Sequence, residues 1–112
     1  MNKNKPPFFT GDIPASPVGP GAQRQILGRD DQLMMLKMDF ETGAVGAMHE
    51  HLHTQATYIL SGAFEFTIGT EKKVLKSGDG CFMPAHIAHG CVCLEAGSLI
   101  DVFTPERKDF LT

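Results

Sequence analysis

Short segments of alternating apolar and polar residues constrain the fold of this chain more than any other feature. One such segment places Phe64, Phe66 and Ile68 on one face, with Glu65 and Thr67 between them. A period of two belongs to a β-strand and not to a helix. Turn-forming residues follow each segment closely, and many short strands at such spacing predict an all-β sandwich or barrel.

The predicted strands lie between residues rich in Gly, Asp and Ser. They are Gln25–Leu27, Leu33–Phe40, Ala47–His53, Thr57–Leu60, Ala63–Ile68, Lys73–Leu75, Cys81–Met83, Gly90–Leu94 and Ser98–Thr104. The methionines of the second segment are interpreted as core residues, because polarizable Met fills irregular gaps in a barrel interior.

The beginning of the chain differs from the rest. Residues 1–22 contain PP, GD, IP and SPVGPG, a pattern that cannot propagate a helix. A chain of 112 residues has room for one domain with its own core. We therefore predict an extended N-terminal arm over 1–22 and a single barrel domain over 23–112.

Composition and charge exclude several classes of function. The net charge of -3 and the scattered Lys and Arg residues offer no basic stripe for a nucleic acid. Because no apolar stretch approaches the roughly 18 residues of a membrane helix, and prolines interrupt the N-terminus, a cytoplasmic protein is expected. Cys81, Cys91 and Cys93 are interpreted as reduced core thiols, with thiolate ligation by Cys91 and Cys93 as the alternative.

All five histidines fall in two short clusters, 49–53 and 86–89. If His49 and His51 share a strand, their side chains project from the same face and can converge on one ion. The amide oxygen of Gln55 could complete a mixed nitrogen and oxygen site that His89 closes from a neighbouring strand. These four residues are the predicted ligands of one divalent transition-metal ion.

Two motifs carry a family resemblance. Gly43-x5-His49-x-His51-x3-Gln55-x6-Gly62 is similar to the first cupin motif, and Gly78-x5-Pro84-x-His86-x2-His89 is similar to the second. The resemblance implies a double-stranded β-helix, a jelly-roll-like barrel, with metal ligands at the two first-motif His, at Gln55 and at His89. This chain departs from the common pattern in having Gln55 in place of Glu, His86 in place of Gly and Cys93 in place of Asn.

The stretches GAVGAMHEHLHTQATYILSGAFEFTIG and LIDVFTPERKDFL resemble the KdgF-like pectin-degradation cupins. In that family Gln is the fourth ligand, and the residues proposed to act on substrate correspond to Asp101, Phe103 and Arg107. The resemblance implies a metal-dependent enzyme that converts 4,5-unsaturated uronate monosaccharides from pectin or alginate into the linear 4-deoxy-5-keto uronate.

The residues fit that chemistry without the family. Asp101 lies in an apolar strand, where a carboxylate needs a partner or a nearby cation; hydrogen bonds from backbone amides are the alternative. It is predicted to take a proton from the anomeric hydroxyl. Arg107 offers a planar fork to a uronate carboxylate, although a loop arginine is ordinarily a solvated charge. Phe103 would shape the pocket wall.

Other readings stay open from the sequence. They are a cupin dioxygenase and a sugar-binding cupin without catalysis. The ligands admit Ni, Mn, Fe or Zn, and exposed strand edges favour a homodimer. We predict that His53 lies behind the metal site or at its mouth, that His86 lies in a turn at the rim, and that Tyr58 belongs to the core or the pocket wall.

Overall fold

The chain folds into two antiparallel sheets, seen in a computed structural model that describes residues 7–111. This part of the chain contains ten strands and a 3₁₀ turn at Lys108–Phe110. The strands are β1 Ser16–Pro17, β2 Ala22–Arg29, β3 Met34–Phe40, β4 Val45–His49, β5 Thr54–Ile59, β6 Ala63–Ile68, β7 Glu71–Lys76, β8 Gly80–Met83, β9 His89–Glu95 and β10 Gly97–Thr104. The predicted all-β class is confirmed.

The strand order brings together parts of the chain that are distant in sequence. One sheet has six strands in the order β1-β2-β3-β10-β5-β8, and the other has four in the order β4-β9-β6-β7. In the first, β10 lies between β3 and β5, and in the second, β9 lies between β4 and β6. β9, which begins at His89, and β10 are therefore central in their sheets.

Apolar side chains from both sheets form the core. Phe64 and Phe66 of β6 are buried against Ile59 and Leu99 of the opposite sheet, as the alternation predicted. Ile68 is partly buried and packs on the edge of this cluster. A second, smaller cluster contains Met34, Leu36 and Phe103 and lies under the loop that follows β10.

The prediction of one strand over Ala47–His53 is wrong. Strand β4 ends at His49, the chain bends at 52–53, and β5 begins at Thr54. The break has a topological cause, because β4 belongs to the four-stranded sheet and β5 to the six-stranded one. Residues 50–53 carry the chain from one sheet to the other, and the His51 carbonyl accepts a hydrogen bond from the His86 amide instead of a ladder partner.

Gly90 allows β4 and β9 to approach closely beside the histidines. A Cβ on Gly90 would lie 2.7 Å from the Gly46 carbonyl oxygen and 3.0 Å from the Met48 amide nitrogen. Because only glycine lacks a Cβ, glycine at position 90 permits the close separation of β4 and β9, the strands that carry His49 and His89.

Part of the predicted arm is described. Residues 1–6 lie outside the described residues, whereas Ser16 and Pro17 pair with Arg24 and Gln23 as an edge of the six-stranded sheet. Between residues 7 and 111, no helix has the length and apolar character needed to cross a membrane.

Candidate metal centre and adjoining cavity

Side chains of both sheets surround a cavity of about 150 Å³. Its wall combines apolar residues of β3, β6 and β10 with a small set of polar and charged residues. Those polar and charged residues are Arg24, His49, Gln55, His89, Asp101 and Arg107. A concave, mostly apolar pocket with a few convergent polar groups is typical of a small-molecule site.

Three histidines converge beside this cavity. His49 and His89 face each other in the register of β4 and β9, with ring centroids 4.5 Å apart. His51, in the segment that crosses between the sheets, lies 5.2 Å from the His49 ring and 4.8 Å from the His89 ring. One ring nitrogen of each lies within 4.8 Å of the others. The convergence that we expected from one strand face is achieved by a strand and a crossing segment.

A backbone carbonyl fixes the tautomer of each ring. The Nδ1 atoms of His49, His51 and His89 lie 2.8, 3.0 and 2.9 Å from the carbonyl oxygens of Ala47, His53 and Ile87. A carbonyl only accepts, so each Nδ1 carries the proton and each Nε2 keeps a lone pair. The Nε2 of His89 is buried and has no hydrogen-bond partner within residues 7–111. Such a donor set fits a metal ion.

Gln55 adds an oxygen to this set. Its amide nitrogen donates to Thr57 Oγ1 at 3.0 Å and to Asp101 Oδ1 at 3.1 Å, which turns Oε1 toward His51 Nε2 at 3.2 Å. Two lone-pair atoms facing each other at this distance repel unless a cation lies beside them. Burial also lowers the pKa of His51 and His89, so their protonation is disfavoured.

Asp101 lies next to this group. The residue is partly buried on β10, and its Oδ1 accepts hydrogen bonds from Thr57 Oγ1 at 2.5 Å and from Gln55 Nε2. Burial raises the pKa of Asp101 to about 6, although these hydrogen bonds and the charge of Arg107 oppose the shift. The partners are therefore side chains, and the alternative of backbone amides is wrong.

Arg107 is buried and held in place, contrary to the ordinary behaviour of a loop arginine. Only 9% of the residue is exposed. Its Nε and Nη2 donate to the two carboxylate oxygens of Asp109 at 3.0 and 2.7 Å, and its Cζ lies 4.2 Å from the Phe110 ring centroid and 5.1 Å from that of Phe103. Phe103 is buried and lines the cavity, as predicted for a wall residue.

A buried network anchors the loop that carries Arg107. Glu106 is buried, its carboxylate pairs with Arg29 Nη1 at 2.9 Å, and its carbonyl lies 3.2 Å from His53 Nε2. The carbonyl of His53 in turn faces His51 Nδ1. His53 therefore connects the histidine cluster to the loop from behind, and the alternative that places it at the mouth is wrong.

The remaining predictions for single residues have mixed outcomes. His86 lies exposed in a turn with φ of 67°, as expected. Tyr58 is 52% exposed on the outer side of β5, so its assignment to the core or the pocket wall is wrong. Cys93 belongs to the core, while Cys81 and Cys91 pack against it. Burial raises the pKa of Cys81 to about 12 and that of Cys91 to about 11, which disfavours thiolate ligands.

Sequence reasoning missed three residues of this region. Thr57 bonds Asp101, Asp109 holds Arg107, and Arg24 lines the same cavity. Thr57 follows Gln55 by two positions in one strand, which places both on the same face. That signal was present in the sequence, whereas Arg24 had none.

Fold and site together define a small β-barrel protein of the cupin type. The sequence profile described as cupin domain matches residues 36–103, and the chain belongs to this family. It is 42% identical over 106 residues to the pectin degradation protein KdgF of Dickeya dadantii (strain 3937), covering 93% of this chain and 96% of that protein.

Two solved structures are similar over most of the chain. A crystal structure of an RmlC-like cupin from Shewanella frigidimarina has a TM-score of 0.92 and 40% identity, covering 95% of this chain and 96% of that one. The structure of KdgF from Halomonas sp. has a TM-score of 0.88 and 42% identity, covering 92% and 98%. The resemblance to KdgF-like cupins is thereby confirmed.

Proposed function

We propose that this protein is a metal-dependent enzyme that opens the ring of 4,5-unsaturated uronate monosaccharides and releases the linear 4-deoxy-5-keto uronate. One observation carries the proposal: three imidazole nitrogens converge beside a cavity whose lining includes the carboxylate of Asp101 and the buried guanidinium of Arg107. The similarity to KdgF proteins over almost the whole chain points to the same substrate class.

His49, His51 and His89 would hold the metal through Nε2, with Oε1 of Gln55 as the fourth ligand. When bound, a divalent ion supplies Lewis-acid polarisation of a substrate oxygen. All four ligands are neutral, so they leave the full charge of the ion in the site. We rank polar chemistry above redox chemistry for this reason.

Asp101 serves as the general base in the proposed reaction. Burial brings its pKa closer to neutrality than that of an exposed carboxyl, which favours proton transfer near physiological pH. Its carboxylate takes the proton of the C1 hydroxyl, a carbonyl forms at C1, and the bond from C1 to the ring oxygen breaks. The electron pair passes to an enolate over C4, C5 and the former ring oxygen, and C4 then gains a proton. Atoms and electrons balance as an isomerisation without an oxidant.

Arg107 and Phe103 orient the substrate. Asp109 occupies the Nε and Nη2 edge of the guanidinium, which leaves the Nη1 hydrogens and one Nη2 hydrogen for the uronate carboxylate. Phe103 is buried beside the His51 ring, at 5.8 Å between centroids, and excludes water from that wall. Thr57 holds Asp101 and so positions the base.

Proton NMR of unsaturated galacturonate tests the proposal. Metal-loaded protein should speed the loss of the ring form over the spontaneous rate, without oxygen or nicotinamide. His89→Ala should lose both metal and activity, because it removes one ligand. An unchanged rate with metal-loaded protein would reject the reaction and favour the sugar-binding alternative, whereas oxygen consumption would favour a dioxygenase.

Four further properties are part of the proposal. The metal is Ni, Mn, Fe or Zn, the protein acts in the cytoplasm, two copies form a homodimer, and the chain divides into an arm over 1–22 and a barrel over 23–112. Elemental analysis tests the first, and sedimentation equilibrium tests the dimer. A monomer at micromolar concentration would contradict the dimer.

A further inference from the structure

A second arginine faces the cavity from the opposite end of the chain. Arg24 lies on β2, pairs in register with Met38 of β3, and lines the cavity together with Gln55, Asp101 and Arg107. None of the steps proposed above uses it. A cation in a partly closed apolar pocket loses hydration, and this loss needs compensation.

Arg24 and Arg107 share one aromatic ring. The Cζ of Arg24 lies 4.0 Å from the centroid of Phe110, and the Cζ of Arg107 lies 4.2 Å from the same point. The two guanidinium carbons therefore cannot be farther apart than these two distances added together. Both arginines also line the same cavity of about 150 Å³, so an anion bound in it lies close to two positive charges.

The two guanidiniums differ in their free donors. Arg107 already gives its Nε and Nη2 edge to Asp109. The ion pairs within residues 7–111 use Arg29, Lys37 and Arg107 but not Arg24. Burial lowers the pKa of Arg24, the charge of Asp109 opposes this shift, and the charge of Arg107 adds to it, so that the compensation of the Arg24 charge is incomplete. An anion in the cavity would supply it.

We propose that Arg24 is a carboxylate-binding residue, which grips the carboxylate of an acidic sugar together with Arg107. The inference rests on the proposed function for the identity of the substrate, but the binding of the anion can be measured without turnover. Two guanidiniums in the wall of one cavity would hold the carboxylate of the sugar and so restrict how its ring is presented to Asp101.

Three variants separate charge from packing. Arg24→Met removes the charge and keeps an apolar stem against Phe110, while Arg24→Lys keeps the charge and loses the planar fork. Lys37→Met is the matched control, because Lys37 lies on the adjacent strand, does not line the cavity and pairs with Asp39 at 3.6 Å. Thermal unfolding of each variant confirms that it is folded, and Arg24→Gln replaces Arg24→Met if the latter does not fold.

Kinetics and calorimetry of the metal-loaded proteins give the answer. Arg24→Met should raise KM for unsaturated galacturonate, and Kd for the unreactive probe galacturonate, by about 10- to 100-fold. The kcat should change less than about threefold, because Arg24 would bind the substrate carboxylate equally in the ground state and the transition state. Arg24→Lys should lie between, and Lys37→Met should match wild type. The affinity for neutral galactose should be the same in all.

Several results would overturn the inference. An unchanged KM and unchanged galacturonate affinity in Arg24→Met would remove Arg24 from substrate binding while the ring-opening function stands. An equal loss of galactose affinity would assign it a structural role. If wild type opens no ring, the proposed function fails, and the loss of galacturonate affinity in Arg24→Met still decides the role of Arg24.

Discussion

Gly90→Ala should weaken metal binding although the residue is not a ligand. The new Cβ would lie 2.7 Å from the Gly46 carbonyl oxygen, whereas ordinary contact begins at 3.4 Å, so the backbone must move by about 0.7 Å. The atoms that must move belong to β4 just before His49. Overpacking of this kind costs about 1–3 kcal/mol of the free energy of unfolding. A shift of the backbone that supports a metal ligand, here His49, should lower metal affinity by about 10–100-fold.

Chelator competition and urea unfolding of the apo-proteins measure the two effects. Two other glycines provide a graded control. A Cβ on Gly46 would come closer than ordinary contact only to the Cys91 sulfur, at 3.1 Å, and one on Gly28 would meet nothing within 4 Å. The losses should increase from Gly28→Ala to Gly46→Ala to Gly90→Ala. Equal metal affinity and equal unfolding free energy in the Gly28 and Gly90 variants would refute the steric argument.

Four further changes have distinct expected results. Asp101→Asn removes the base but keeps its shape, so kcat should fall by about 10²–10⁴-fold with the metal retained; a normal kcat would exclude Asp101 from the chemistry. Arg107→Lys loses the fork and should chiefly raise KM, and a lowered kcat alone would contradict this. Gln55→Glu keeps an oxygen ligand but cannot donate to Asp101, so elemental analysis should find the metal while kcat falls; full activity would contradict the role of the amide. Hydrogen bonds from Arg107 lower the pKa of Asp109 below its ordinary 3.8. Wild type should therefore be more stable than Asp109→Asn above pH 3.8, and this difference should disappear as the pH falls through the lowered pKa of Asp109. A difference in thermal unfolding that does not depend on pH would contradict the pairing.

The motifs predicted the nature of the site better than its construction. The spacing of the histidines identified the residues that meet, because each motif is a local feature of the chain. A twist or bulge before Gln55 is expected from the sequence, because the alternate positions from 49 to 55 cannot all bind one ion, but a crossing between sheets at residues 50–53 is not. Only the assignment of β4 and β5 to different sheets explains why His51 leaves the strand of His49.

Long-range partners were beyond sequence reasoning. Asp101 faces Thr57 because β10 pairs with β5 in the register Asp101 to Thr57, and nothing local to either residue encodes that register. The same holds for Arg24, which reaches Phe110 across most of the chain. Asp109 is different, because it is two residues from Arg107 and local charge alone would have indicated the pair.

The amide of Gln55 explains why one site can contain both a metal and a base. Its oxygen faces His51 Nε2, and its nitrogen donates to Asp101 at 3.1 Å. A glutamate there has no hydrogen to donate, and it would place a second negative charge against Asp101, so that both carboxylates could not ionise freely. With the amide in place, Asp101 is the one carboxylate among the described residues that line the cavity, while the ligand set stays neutral. The departure from the common cupin motif is therefore a requirement of the proposed chemistry.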